Sequence, residues 1–97
     1  LPADFLAAPF PHATAWLPPP DPTASDSDRF APRHVQGSLR LCHHGGGVYD
    51  VLVVSGAQRG RVWTDAREQD QGVRPCADSF LAWYDRWIEA AILDERA

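Results

Sequence analysis

Alternating apolar and polar residues mark the segment from Gly37 to His44. Leu39 and Leu41 fall on one side of an extended chain, and Arg40 and Cys42 fall on the other. A period of two is typical of a strand with one buried face. The pattern therefore predicts a half-buried strand over these residues.

Three further strands are predicted downstream, separated by turns. Val48 to Ser55 is apolar on both sides, which is the pattern of a central strand. It follows a turn at Gly45 to Gly47 and leads through a hairpin loop at Gly56 to Gly60 into Arg61 to Asp65, which returns antiparallel. After a polar loop, Val73 to Pro75 predicts a short edge strand.

The segment from Asp78 to Leu93 predicts an amphipathic helix, with Asp78 or Ser79 as its N-cap. At about 100° per residue, Phe80, Tyr84 and Trp87 fall on one line. Because aromatic side chains gain much from burial, we expect this line to belong to the core and to pack on the sheet.

Together these elements predict an α+β fold, an antiparallel β-sheet of about four strands with a C-terminal amphipathic helix packed on one face. The chain of 97 residues is long enough for a single domain. Residues 18–29 contain no large apolar residue and are predicted to form a surface loop. Pro9 and Pro11 limit any helix over Ala3 to Ala8 to one or two turns.

Composition narrows the function classes. A net charge of −4 and a pI near 5.4 argue against binding of nucleic acid and suit a basic partner better. No apolar run approaches the length of a membrane span, and no signal peptide is recognisable, so we expect a cytoplasmic protein. In that setting Cys42 and Cys76 are expected to be reduced thiols.

Candidate catalytic and metal-binding motifs are weak. Neighbouring side chains on a strand diverge, so a zinc site has at most the ligands Cys42, His44 and Cys76, and buried thiols with surface histidines are favoured over it. The glycine triplet leads into another strand without a Lys, unlike a phosphate-binding loop. Asp50 and Asp65 lie near the same end of a hairpin, where a solvated pair is favoured over an acid/base role. We therefore expect no enzymatic activity, no metal and no cofactor.

The order of residues over a little more than half of the chain resembles the SUKH superfamily. The matching residues are a Gly-x-Leu-x-Leu strand, a Gly-rich turn, Leu52-Val53-Val54, Gly56, Arg59-Gly60-x-Val62-Trp63 and Ser79-Phe80-Leu81-x-Trp83-Tyr84-x-x-Trp87. The resemblance implies that residues 1–97 are a single SUKH-like domain, with further N-terminal parts of the domain upstream of Leu1. Because the family has a longer N-terminal helical region, the resemblance also implies that one side of the sheet lacks a cover here.

The best known bacterial members of this superfamily are immunity proteins that bind and neutralise toxins. The resemblance thus implies a non-enzymatic protein whose partner is a cognate toxin domain. SUKH-like domains also occur in proteins of cell-wall and signalling control, so a regulatory or scaffold module is the alternative. Genome context distinguishes the two, because an immunity gene lies beside a toxin gene.

The predicted partner surface consists of acidic and aromatic residues at one hairpin end and in the following loop. Its members are Asp50, Trp63, Asp65, Glu68 and Asp70. For Trp63, both core packing and partner contact are open, because tryptophan is enriched in both settings. Negative charge on this surface would speed association with a basic toxin.

Overall fold

The computed structural model describes residues 4–17 and 30–96. In chain order the elements are a 3-10 turn at Pro32–Val35, the strands β1 (Ser38–Gly45), β2 (Val48–Val53) and β3 (Val62–Ala66), a 3-10 turn at Arg67–Gln69, strand β4 (Gly72–Ala77) and helix α1 (Phe80–Arg96). This confirms the predicted α+β arrangement of a four-stranded antiparallel sheet with a C-terminal helix. The surface loop predicted at 18–29 lies outside the described residues.

The four strands form a simple meander in the order β1-β2-β3-β4. Val51 on β2 lies opposite Trp63 on β3, and the preceding residue, Asp50, lies opposite Thr64. Because successive side chains alternate across a strand, these pairs lie on opposite faces of the sheet. We call the face with Val51 and Trp63 the core face, and the face with Asp50 and Thr64 the helix face.

The core face is covered by the N-terminal segment, residues 4–17, and by the 3-10 turn at Pro32–Val35. The buried cluster consists of Phe10, Val35, Val51, Val53, Trp63 and Val73, with Phe5, Trp16 and Tyr49 packed around it. The ring of Phe10 meets the ring of Trp63 edge to face, with centroids 5.0 Å apart. The expectation that one side of the sheet lacks a cover is therefore wrong for the core face.

Backbone hydrogen bonds hold the N-terminal segment in place. Trp16 and Val73 exchange two of them, with N···O distances of 2.8 and 2.9 Å, so that the segment extends the sheet beyond β4 by one bridge. Phe10 N donates to Ser55 O at 3.0 Å, and Gly37 N donates to Phe5 O at 2.6 Å. The prolines that prevent a helix here leave the chain extended enough to make these contacts.

Gly37 shows how closely this segment approaches the sheet. Its φ of +69° lies in the left-handed region, and a Cβ at this position would collide with the carbonyl oxygen of Ala8. Only glycine avoids both the strained backbone and the collision.

Helix α1 begins with a side-chain cap. The backbone N–H of Ala82 donates to Ser79 Oγ at 3.1 Å, which identifies Ser79 as the N-cap among the two predicted candidates. From this start the helix continues past the sheet, and the molecule measures 48 × 28 × 23 Å along its principal axes. Much of α1 therefore extends away from the rest of the fold.

Candidate functional site

Asp50 is the polar centre of the helix face. Its buried carboxylate accepts three side-chain hydrogen bonds: from Trp83 Nε1 at 2.7 Å, from Thr64 Oγ1 at 2.8 Å and from His44 Nε2 at 2.8 Å. The three donors come from α1, β3 and β1, while Asp50 itself lies on β2. One carboxylate thus joins the helix to three neighbouring strands.

Burial alone would raise the pKa of Asp50, because it disfavours the charged form. The hydrogen bonds from Trp83, His44 and Thr64 outweigh this effect, and the pKa of Asp50 lies below its ordinary value. The carboxylate is therefore ionised at neutral pH, and its role is to anchor these three side chains.

Beside Asp50, the first turns of α1 and strand β1 enclose an open groove of about 300 Å³. We call it the aromatic groove. Its lining residues are Leu41, Cys42, Phe80, Trp83, Tyr84 and Trp87. The aromatic rings of α1 stack along it, with centroids 5.9 Å apart for Phe80 and Tyr84 and 6.2 Å apart for Tyr84 and Trp87.

The aromatic line of α1 is not part of the core, contrary to the sequence prediction. Phe80, Tyr84 and Trp87 are 38%, 42% and 49% exposed. The side of the helix that meets the rest of the protein carries Trp83, bonded to Asp50, and Arg86, whose Nη2 donates to Cys76 O at 2.9 Å. On a helical wheel this side is rotated by roughly 60° or more from the predicted line, which leaves most of the aromatic arc in solvent.

Three of the five residues predicted to form a partner surface are buried. Asp50 and Asp65 are each 5% exposed, and Trp63 is 1% exposed. Trp63 belongs to the core cluster, so of its two open interpretations the structure supports core packing. Glu68 and Asp70 are exposed. The prediction is therefore wrong for Asp50, Asp65 and Trp63. The two carboxylates have hydrogen-bond partners inside the protein, and the indole packs in the core cluster.

Asp65 is engaged in a buried ion pair. Arg67 Nε donates to Asp65 Oδ1 and Arg67 Nη2 donates to Oδ2, both at 2.9 Å, and Arg67 Nη1 donates to Ala31 O at 2.9 Å. The predicted solvated pair of Asp50 and Asp65 does not form, because the two carboxylates lie on opposite faces of the sheet. Because the sheet lies between them, the two carboxylates cannot act on one substrate as an acid/base pair.

Cys42 and Cys76 are unpaired and half-buried. Cys42 lies on β1 and Cys76 on β4, at the two edges of the sheet. With strands about 4.8 Å apart, three strand spacings place them roughly 14 Å apart, too far for a disulfide or for one zinc ion to bridge. In the described residues no group of three or more His, Cys, Asp or Glu side chains is arranged to hold a metal.

Comparisons of the chain with protein families, with curated proteins and with solved structures find no match. Within the described part of the chain, no helix has both the length and the apolar character that crossing a membrane requires.

The aromatic groove gave only an indirect signal in the sequence. Helical periodicity grouped Phe80, Tyr84 and Trp87 correctly, but a buried face and an exposed binding face have the same period. The signal that distinguishes them is Trp83, whose indole N–H needs an acceptor and finds it in Asp50. Nothing in the local sequence connects these two residues, which are 33 positions apart.

Proposed function

We propose that this chain is a non-enzymatic protein-binding module of the immunity type, which neutralises a bacterial toxin domain by binding it in the aromatic groove. The observation that carries the proposal is the exposure of three neighbouring aromatic side chains on α1, Phe80, Tyr84 and Trp87. Contiguous exposed apolar surface of this kind marks interaction sites, and tryptophan and tyrosine dominate binding hot spots.

The groove provides apolar contact area and few polar groups that could bind or react with a ligand. Its lining consists of aromatic side chains with one leucine and one thiol. The nearest carboxylate, Asp50, is buried and already accepts three hydrogen bonds. A partner side chain that fills the groove would bury the rings that are exposed in the free protein. Burial stabilises by about 1.5 to 3 kcal/mol for each large side chain that becomes fully buried.

The charge of the chain as a whole favours a basic partner. Asp85 and Glu89 are exposed on α1, on the side of the helix away from Phe80, Tyr84 and Trp87, and Arg86 on the same helix is held against the carbonyl of Cys76. The whole chain carries a net charge of −4. Opposite charge on the partner would raise the association rate and make it depend on salt. Toxin domains that cut nucleic acid tend to be basic, so their charge is opposite to the net charge of this chain.

The test is a binding assay against the toxin domain encoded beside this gene, with binding kinetics measured over a range of salt concentrations. Trp87→Ala and Tyr84→Ala should each weaken binding by roughly 30-fold, the size of a hot-spot effect. Leu17→Ala is the matched control, because Leu17 is an exposed apolar residue on the N-terminal segment, outside the groove. Co-expression of the wild-type chain should also relieve growth arrest caused by the toxin, and the Trp87→Ala variant should protect less.

Three outcomes would contradict the proposal. Concentration-dependent dimerisation of the free chain that Trp87→Ala abolishes would show that a second copy fills the groove. Binding to a partner through the groove without relief of toxicity would instead support the alternative, a regulatory or scaffold module. Equal affinities of the groove variants and the Leu17→Ala control would place the contact surface elsewhere.

A further inference from the structure

The carboxylate of Asp50 carries a negative charge that no arginine in the described part of the chain neutralises. Its donors are an indole, a hydroxyl and an imidazole, from Trp83, Thr64 and His44. Only the imidazole can become a cation, and the side chain of His44 is 47% exposed. Asp65, which is equally buried, pairs with Arg67 instead. Because buried charges are normally paired with an opposite charge, Asp50 lacks a fixed positive partner.

The indole of Trp83 connects this charge with the aromatic groove. Its Nε1 donates to Asp50 Oδ2 at 2.7 Å, and its side chain is part of the groove lining. A hydrogen bond from an N–H group to an anion is charge-assisted, and it polarises the donor so that electron density shifts onto the ring. The faces of aromatic rings are already negative. Trp83 therefore attracts a cation more strongly than an indole bonded to a neutral acceptor.

Three further rings extend the surface that Trp83 begins. Each ring of the group lies 5.8 to 6.5 Å, centroid to centroid, from two of the others, with planes within 31° of parallel; its members are Phe80, Trp83, Tyr84 and Trp87. All except Trp83 are exposed. Among the described residues that line the groove there is no basic side chain. A cation that enters the groove thus meets aromatic rings and no repelling charge.

A guanidinium fits this lining better than an ammonium ion does. It is planar and weakly hydrated, and it stacks on aromatic rings. Arginine is also the cation that contacts aromatic rings more often. An ammonium ion is more strongly hydrated, and an apolar lining cannot replace the hydrogen bonds to water that it would lose. The groove is open to solvent, so a side chain on the surface of a partner can reach it.

We propose that the aromatic groove binds an arginine side chain of the partner, with the guanidinium stacked on the rings of Trp83 and Trp87. The carboxylate of Asp50 attracts this guanidinium through Trp83, without touching it. The identity of the partner, a basic toxin domain, rests on the proposed function. The groove adds to it the residue that the toxin domain presents. Asp50 then has two roles, since it holds α1 on the sheet and supplies the charge that favours arginine.

The test uses Nα-acetyl-arginine methylamide as the probe and the corresponding citrulline derivative, which has the same shape and no charge, as its control. Both are titrated into the full chain at constant ionic strength. The readout is the indole N–H signals in ¹H–¹⁵N NMR, assigned from Trp83→Phe and Trp87→Phe. The signals of Trp83 and Trp87 should shift and saturate with the arginine derivative. The citrulline derivative should bind about tenfold more weakly, as expected for loss of a cation–π contact.

Asp50→Asn tests the contribution of the buried charge. The change keeps the size of the side chain, and affinity for the arginine derivative should fall about fivefold as the attraction across the indole is lost. Asp85→Asn is the matched control, because it removes the same charge from an exposed position on the side of α1 away from the rings, and it should leave affinity unchanged. The comparison of the arginine and citrulline derivatives uses the wild-type chain, so it does not depend on the folding of any variant.

Four results would overturn the assignment of arginine to the groove. They are equal affinities for the arginine and citrulline derivatives, no shift of the Trp83 and Trp87 signals, tighter binding of the corresponding lysine derivative, and equal affinities of Asp50→Asn and Asp85→Asn.

Competition between the arginine derivative and the toxin domain separates this assignment from the proposed function. Displacement of the toxin domain by the arginine derivative, and not by the citrulline derivative, would support both. Toxin binding that Trp87→Ala weakens but the arginine derivative does not displace would retain the proposed function and reject arginine as the occupant. Binding of the arginine derivative in the groove by a chain that does not bind the toxin domain would retain the arginine site and reject the proposed function.

Discussion

The indole N–H of Trp83 donates a hydrogen bond of 2.7 Å to the buried carboxylate of Asp50. This contact connects α1 to the middle of the sheet, while the aromatic side chains next to it stay exposed. Together with the hydrogen bond from Arg86 Nη2 to Cys76 O, this pair sets the rotation of the helix and with it the shape of the aromatic groove.

Trp83→Phe should loosen the attachment of α1. The change keeps an aromatic ring and removes the donor to Asp50, which should lower the free energy of unfolding by about 1 to 3 kcal/mol. Hydrogen exchange should speed up more in α1 than in β2 and β3. The matched control is Trp87→Phe, since Trp87 is half-exposed and makes no hydrogen bond in the described structure. Equal losses in the two variants would contradict the anchoring role of Trp83.

Stability should fall in acid through Asp50. Its pKa is lower in the folded state than the ordinary value of 3.8, so the unfolded state binds more protons in this range and stability rises with pH. The contribution is fully present above about pH 4 and is lost as the pH falls through the lower, folded pKa. Urea unfolding of the wild type and of Asp50→Asn should therefore differ most at neutral pH and converge below pH 4. Asp85→Asn, an exposed change on α1, should show no such convergence.

A second pH effect should come from His12 in the N-terminal segment. Burial lowers the pKa of His12 below its ordinary value of 6.5, although the hydrogen bond between its Nε2 and the carbonyl of His34, 2.7 Å long, raises it. Its ring stacks on Trp16 and lies near Trp63, Asp65 and Arg67.

The unfolded state therefore binds the proton of His12 more readily than the folded state does. Stability should be full above about pH 6.5 and decrease as the pH falls below it. His12→Phe retains a ring in the stack and cannot be protonated, so urea unfolding between pH 7.5 and pH 5.5 should give a flatter profile for this variant. An identical slope in the two proteins would show that His12 does not contribute.

Gly37→Ala should detach the N-terminal segment. The added Cβ meets the carbonyl oxygen of Ala8, and the φ of +69° is unfavourable for alanine. Gly60→Ala is the matched control, because Gly60 also has a positive φ, +90°, but a Cβ there meets nothing within 4 Å. Both variants should lose about 1 kcal/mol from backbone strain, and only Gly37→Ala should lose more and become sensitive to proteolysis within residues 4–17. Equal melting temperatures of the two variants would contradict the close approach.

The core and the groove should respond differently to loss of an indole. Trp63→Ala removes a fully buried ring from the core cluster and should cost about 3 to 5 kcal/mol of stability. Trp87→Ala removes a half-exposed ring and should cost less than about 1 kcal/mol. Thermal unfolding of both variants measures the difference, and similar losses would mean that the aromatic groove is in fact packed.

The sheet was predictable because its information is local. The glycines between the strands place the turns within a few residues. The period of two predicted over Leu39 and Leu41 is wrong in detail, because the pairing of β1 with β2 is irregular between Arg40 and Cys42, and Leu39 is 48% exposed. The start of α1 was equally local, since Ser79 caps a backbone N–H three residues away. These features depend on neighbours in the sequence.

The cover of the core face and the orientation of α1 depend on distant contacts instead. Phe10 and Trp16 lie among prolines without any helical or strand period, so nothing nearby shows that they pack on β3 and β4. The buried state of Asp65 likewise follows from Arg67 and the carbonyl of Ala31, and a sequence pattern treats an acidic residue near a turn as solvated.

The bridge between Trp16 and Val73 has a consequence for the order of folding. Strands β1 to β4 pair only with neighbours in the chain, so each hairpin closes a short loop and can form early. Closing the bridge brings together residues that are separated by more than half of the chain, at a higher entropic cost. The N-terminal segment should accordingly join last in refolding and leave first in unfolding, and in that interval the sheet surface around Trp63 is open to water and prone to aggregation.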